Sequence, residues 1–249
     1  METTKKFTIE IATSDYATTA AAVKGGADRI ELCANLAEGG TTPPYGTLVQ
    51  CREDFAVQLY PIIRPRGGDF LYTDEEFACM MKDIEMCKHL GCDGVVIGIL
   101  SSNGDIDIPR NARLVELAYP LRVTFHRAFD RCREPFEALE QLVQLGCERI
   151  LTSGLQPLVT DGIELISQLN ATAGDRIIIM PGSGIRKENI KTVEAVTKCR
   201  EFHASLRSTI PSAMNYKNPY FRDSKESYTN NFIDSEAVKA LRNALLLEQ

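Results

Sequence analysis

The chain has 249 residues, 44% of them hydrophobic and 25% charged, with a formal charge of −6. That size suffices for one large core, and an acidic balance without a clustered Lys/Arg stretch argues against a nucleic-acid partner, whose phosphates need a basic surface. No run of about 18 apolar residues could span a bilayer, and the opening Met1–Phe7 lacks the apolar stretch of a secretory leader, so a cytoplasmic protein with no membrane partner is expected.

Along the chain, short β-branched runs recur, each followed by a helical pattern, as in repeated βα units around a parallel sheet. Strands are expected at Phe7–Ala12, Asp28–Cys33, Val57–Arg64, Gly94–Leu100, Arg122–Arg127, Arg149–Ser153, Arg176–Pro181 and Glu201–Ser205. Helical spacing fills Thr73–Leu90 and Glu134–Leu145, with Gly91 and Gly146 as C-caps. Eight such units predict a single α/β domain over residues 1–249, a TIM-type (β/α)8 barrel. The polar stretch Leu206–Ile233 reads as an extended eighth βα loop or a loosely ordered excursion, ahead of a C-terminal helix capped by Asp234 or Ser235.

In a barrel strand alternate residues face the interior, and those at the C-terminal end line the mouth. Ile9 and Ile11 outward turn Glu10 inward, and Ile30 and Leu32 outward do the same for Glu31 and Cys33. Leu59, Pro61 and Ile63 outward send Arg64 inward and Arg66 into the loop above, while Val123 and Phe125 leave Thr124 and His126 inside. Buried charges are costly unpaired, so this set is either a structural ion-pair network or an acid–base site beside an arginine anion clamp. The Gly-Gly pairs in Glu38–Thr41 and Arg64–Asp69 are tight turns or binding loops. Gly182, Ser183 and Gly184 follow the seventh strand where barrels bind phosphate, and with Arg66 and Ser205 they form the candidate anion site. His203 is expected inward as well, as a hydrogen-bonded core residue or a member of the site. The eight cysteines form no Cys-x-x-Cys and are expected reduced. Those in Cys79–Cys87 lie in a soft-ligand run that also follows core-facing helical spacing, and Cys33 is the one expected at the mouth beside ionisable groups.

The runs Gly26–Ala34, Glu38–Pro43, Pro61–Phe70, Val123–Asp130 and Ile150–Gly154, joined by Met180–Ile185 and His203–Ser205, resemble the CutC copper homeostasis family. The resemblance extends from the first strand to the eighth and weakens over the tail. It implies a cytoplasmic, homo-oligomeric barrel that binds copper, taken as Cu(I), with Cys33 as the main metal ligand and His126 or Glu31 assisting. The same mouth, with Glu10, Glu31, Arg64 and His126 as catalytic groups, also describes a lyase, isomerase or hydrolase acting on a phosphorylated or carboxylated small metabolite. A non-catalytic oligomeric scaffold is a third reading.

Overall fold

The computed structural model describes residues 7–221 and 228–246, so the opening residues 1–6 and the stretch 222–227 of the expected eighth loop lie outside the described residues. Eight short strands appear at the expected runs: β1 (Thr8–Thr13), β2 (Arg29–Leu32), β3 (Gln58–Pro61), β4 (Gly94–Ile97), β5 (Arg122–Phe125), β6 (Arg149–Thr152), β7 (Ile178–Pro181) and β8 (Glu201–Ala204). Each is followed by a helix: α1 (Tyr16–Lys24), α2 (Tyr45–Asp54), α3 (Asp74–His89), α4 (Ile108–Ala118), α5 (Pro135–Leu145), α6 (Ile163–Ala173), α7 (Ile190–Thr197) and α8 (Ser235–Leu246). This is the expected α/β barrel.

The parallel ladders run β3-β2-β1-β8 and β4-β5-β6-β7, and the bridge between Ile62 and Val96 joins the two sheets. Past the end of β3 the pairing continues, Ile62 N–H donating to the Leu32 carbonyl and Ile63 N–H to that of Val96, which carries the chain up to Arg64 as expected. Strands β7 and β8 lie side by side without a ladder among the described residues. The barrel therefore has one seam.

Outward residues Ile9, Ile11, Ile30, Leu32, Leu59, Ile63, Val123 and Phe125 join the large core between sheet and helices. Inside, Cys33, Tyr60, Ile62 and Val96 form a small apolar wall. Helix α3 starts on a capping box, Thr73 with Glu76, and ends where Gly91 takes φ 69. The eighth loop is more ordered than a plain excursion: β9 (Arg207–Pro211) and β10 (Thr229–Ile233) pair as an exposed antiparallel ribbon. The Asp234 carboxylate then accepts from Glu236 N–H at 2.9 Å, capping α8.

Candidate active site at the barrel mouth

The lower barrel interior is polar. Arg29 on β2 pairs with Glu10 on β1 and, at 2.5 Å, with Glu201 on β8, while Arg149 on β6 reaches Glu201 at 3.0 Å and Glu148 at 2.7 Å. The Tyr60 ring lies between the two guanidinium groups, 5.1 and 5.2 Å from them. Strand register explains the meeting, because Glu10 stands opposite both Arg29 and His203. These opposed charges neutralise one another where an isolated charge would be costly.

Two residues further along β2 and β8 come Glu31 and His203. The Glu10 carboxylate lies 2.7 Å from His203 Nδ1, which turns Nε2 toward Glu31 Oε2 at 3.7 Å. Burial works against the charge of Glu10, but Arg29 and then His203 hold it well below the usual carboxylate range. Burial raises Glu31, and the neighbouring Glu10 charge reinforces this against the pull of His203. For His203, burial works downward, yet the Glu31 and Glu10 carboxylates outweigh it and raise the imidazole above its ordinary value. A fixed anion thus backs an imidazole and a carboxyl that both hold protons more tightly than usual, an arrangement suited to passing a proton.

These two groups open into a cavity of about 410 Å³ at the C-terminal ends of the strands, lined also by Ala12, Ile62, Leu151 and His126. On its far wall the Phe70 ring sits between Arg64, 5.0 Å away, and His126, 4.9 Å away. Gly98 makes room for His126, since a Cβ there would strike the imidazole. Arg64 ties the two Gly-Gly loops together, donating to the carbonyls of Glu38 at 2.8 Å, Gly40 at 2.7 Å and Gly68 at 2.9 Å. Its charge faces the cavity, but most of its donors are spent on backbone.

The rim is cationic. Among the described residues, Arg64, Arg127, Arg186 and Arg207 line the cavity against one carboxylate, Glu31. Arg127 is oriented by Asp130 at 2.7 Å and Ser153 at 2.7 Å, which joins the Val123–Asp130 and Ile150–Gly154 runs in one network. Arg186 is exposed and has no acidic partner among the described residues. Beside it Ser183 and Gly184 adopt φ 71 and 87.

The structure brings Glu31, Arg64, His126, Ser183, Gly184 and Ser205 to this one cavity, with Glu10 directly behind. It does not bring Arg66, whose guanidinium turns outward to Glu76 at 2.6 Å, Asp69 at 3.0 Å and the Leu71 carbonyl at 2.7 Å. Nor does Gly182 line it; its amide continues the sheet, donating to the Thr152 carbonyl. Cys33 is inward but enclosed in the wall, its thiol 3.5 Å from Glu31 Oε2 and pushed up by burial and then by that carboxylate. Arg127 and Arg186 were not among the expected site residues, and His203, open between a hydrogen-bonded core residue and a member of the site, lines the cavity. The alternation of Phe202 and Ala204 outward is the signal that points His203 inward; its pairing with Glu10, 193 residues away, is not local.

Among the described residues, the potential metal ligands that gather within 4.8 Å are Glu10, Glu31 and His203. Two carboxylates and an imidazole suit a harder divalent ion, and Arg29 already occupies Glu10. Cys33 lies outside this group, and burial, then the Glu31 carboxylate, push its thiol up and away from thiolate, so the donors among the described residues do not fit Cu(I), which prefers thiolate.

Comparisons with known proteins agree along the chain. The CutC family profile matches residues 7–208. A protein named family protein CutC from Parabacteroides distasonis is 50% identical over 237 residues, 93% of this chain and 98% of its own. One of the same name from Chromobacterium violaceum is 46% identical over 240 residues, covering 95% and 97%. The crystal structure of a protein from Streptococcus agalactiae, provisionally named copper homeostasis protein CutC, superposes with a TM-score of 0.77 at 33% identity, over 80% of this chain and 98% of that one.

Proposed function

The chain belongs to the CutC family, and from that premise and the chemistry of its mouth we propose that it is an enzyme that binds a small anionic metabolite and moves a proton on it. The observation that carries this is Glu31 and His203 facing each other in the cavity, with Glu10 fixing the imidazole from behind. Arg186 and Arg207, with the Ser183–Gly184 turn, supply the positive rim that holds the anion, as in a phosphorylated or carboxylated compound. Glu31 and His203 exchange roles as acid and base, and Glu10 holds Nδ1 so that Nε2 does the work. The test is a metabolite screen by thermal shift, followed by turnover of any hit. Glu31→Gln is expected to retain binding while turnover falls by about 10²–10⁴-fold; undiminished turnover would sink the assignment.

Copper handling is the second reading, supported by the name of the Streptococcus agalactiae relative and by the Cys33 thiol beside Glu31. It treats Cu(I) as cargo taken up by a cytoplasmic, homo-oligomeric protein, and it requires Cys33 to lose its proton and leave the wall. A Cu(I) competition titration of the reduced protein decides it. One tight equivalent lost in Cys33→Ser favours copper; weak binding unchanged by the substitution leaves the metabolite reading alone.

A further inference from the structure

His126 carries a hydrogen-bond donor with nothing to receive it. The Ala128 backbone N–H donates to Nδ1 at 3.1 Å, so Nδ1 is the bare nitrogen and the ring proton sits on Nε2. Nε2 is buried and has no hydrogen-bond partner among the described residues, although the residue lines the cavity. A buried polar atom without a partner is rare in folded proteins and calls for a reason. Burial, and then the Arg64 guanidinium facing it, hold the imidazole down to about 3, so it stays neutral and cannot serve as a base near pH 7. Around it stand Phe70, Phe125 and the space left by Gly98. The one chemical capability left to it is donation to an oxygen.

Resting on the reading of the mouth as a metabolite site, we propose that His126 Nε2–H donates to the carbonyl oxygen of the substrate, and that the substrate is a small α-hydroxy carbonyl compound with an anionic group at its far end. The three parts of the cavity match three parts of such a molecule: the arginine rim its anion, His126 its carbonyl oxygen, and the Glu31–His203 pair the carbon between. A proton leaves the carbon next to the carbonyl for whichever of Glu31 and His203 is unprotonated. The C–H electron pair becomes a C=C bond, and the carbonyl π pair moves onto oxygen, where His126 donates and the Arg64 charge is favourable. Passage of the hydroxyl proton to that oxygen and return of the first proton to the former carbonyl carbon complete an isomerisation that needs no co-reactant. A neutral imidazole suits this role because it stabilises the growing charge without being deprotonated itself.

The experiment is a calorimetric titration of the full chain with inorganic phosphate and with 2-phosphoglycolate, whose carboxylate stands in for the charged carbonyl oxygen. The expected result is that phosphoglycolate binds about tenfold or more tighter than phosphate, the scale of one good hydrogen bond. His126→Leu removes that advantage and leaves phosphate binding unchanged, while His126→Gln, which keeps an N–H, retains part of it. Phosphate binding with no advantage for phosphoglycolate, or an advantage untouched in His126→Leu, overturns the role of His126 and leaves the anion site standing. Binding of neither probe overturns both. Should the leucine variant fail to fold, nitrogen NMR of histidine-labelled wild type tests the same point: His126 is expected as the neutral Nε2–H form from pH 8 to pH 5, its Nε2–H signal shifting when phosphoglycolate is added, and an Nδ1–H form or a doubly protonated ring is the contrary result.

Discussion

Single residues in this barrel take their chemistry from what stands opposite them. Glu10 and Glu31 are carboxylates on neighbouring strands, yet Arg29 keeps the first ionised while burial and the first carboxylate's charge raise the second. His126 and His203 diverge in the same way, one beside Arg64 and the other between two carboxylates. The divergence has a signed effect on stability. An imidazole kept neutral in the fold but free to protonate in the unfolded chain makes the unfolded state bind more protons below its ordinary value of 6.5, so its contribution falls as pH drops from there toward 3. His203, raised in the fold, works the other way: its contribution is full below 6.5 and is lost as pH rises through the folded value. Urea titrations at several pH values are expected to show a shallower decline between pH 6 and pH 4 in His126→Phe than in wild type, by at most about 1.4 kcal/mol per pH unit, the effect of one proton. Parallel curves would mean that His126 protonates inside the fold.

At the scale of elements, one helix-ending device recurs. After α1, α3 and α5 a glycine with positive φ, at positions 26, 91 and 146, is followed by a residue whose N–H reaches back to the carbonyl five residues earlier: Ala27 to Ala22, Cys92 to Cys87, Cys147 to Leu142. This is the Schellman arrangement, which places those paired side chains in contact and turns the chain into the next strand. The glycines open the similar triplets Gly26-Ala27-Asp28, Gly91-Cys92-Asp93 and Gly146-Cys147-Glu148, and the arrangement accounts for Cys87 and Cys92 as packing residues of the core. Gly146 has open space around its α-carbon, so a methyl group there meets no clash and only the backbone conformation is strained. Gly146→Ala is therefore expected to cost about 1 kcal/mol, read as a lower urea midpoint with an unchanged slope. No shift in midpoint would show that the helix end relaxes freely.

For the whole molecule the telling feature is the seam. Among the described residues every other neighbouring barrel-strand pair shares a ladder or bridge, whereas β7 and β8 touch without one, and Gly182 and His203 face each other across that line. In a parallel ladder alternate residues bond to alternate sides. Since Thr8 N–H donates to the Arg200 carbonyl, the amides of Phe202 and Ala204 are those that pair with β1, and those of Glu201 and His203 face the seam. Hydrogen exchange under native conditions is expected to be faster at Glu201 and His203 than at Phe202 and Ala204. Equal protection across β8 would mean that the seam is closed in solution. A strand bonded on one side is freer to adjust, which suits the element that carries the imidazole proposed to pass the proton.

Much of this was decided by sequence alone. Period-two alternation and the eight βα repeats set the barrel, because a parallel strand must send one face to the helices and the other inward. The same alternation was enough to turn Glu10, Glu31, Arg64 and His126 inside, and the glycines after the helices marked the joins. What only the tertiary structure decided is who meets whom. Arg29, Glu10 and His203 come together through strand register across 19 and 193 residues, Arg66 is drawn outward by Glu76, and Cys33 is sealed into the wall by Ile62 and Gly40. Alternation dictates the face a side chain takes, but charge, tautomer and access depend on partners that lie far apart along the chain and become neighbours when the barrel assembles.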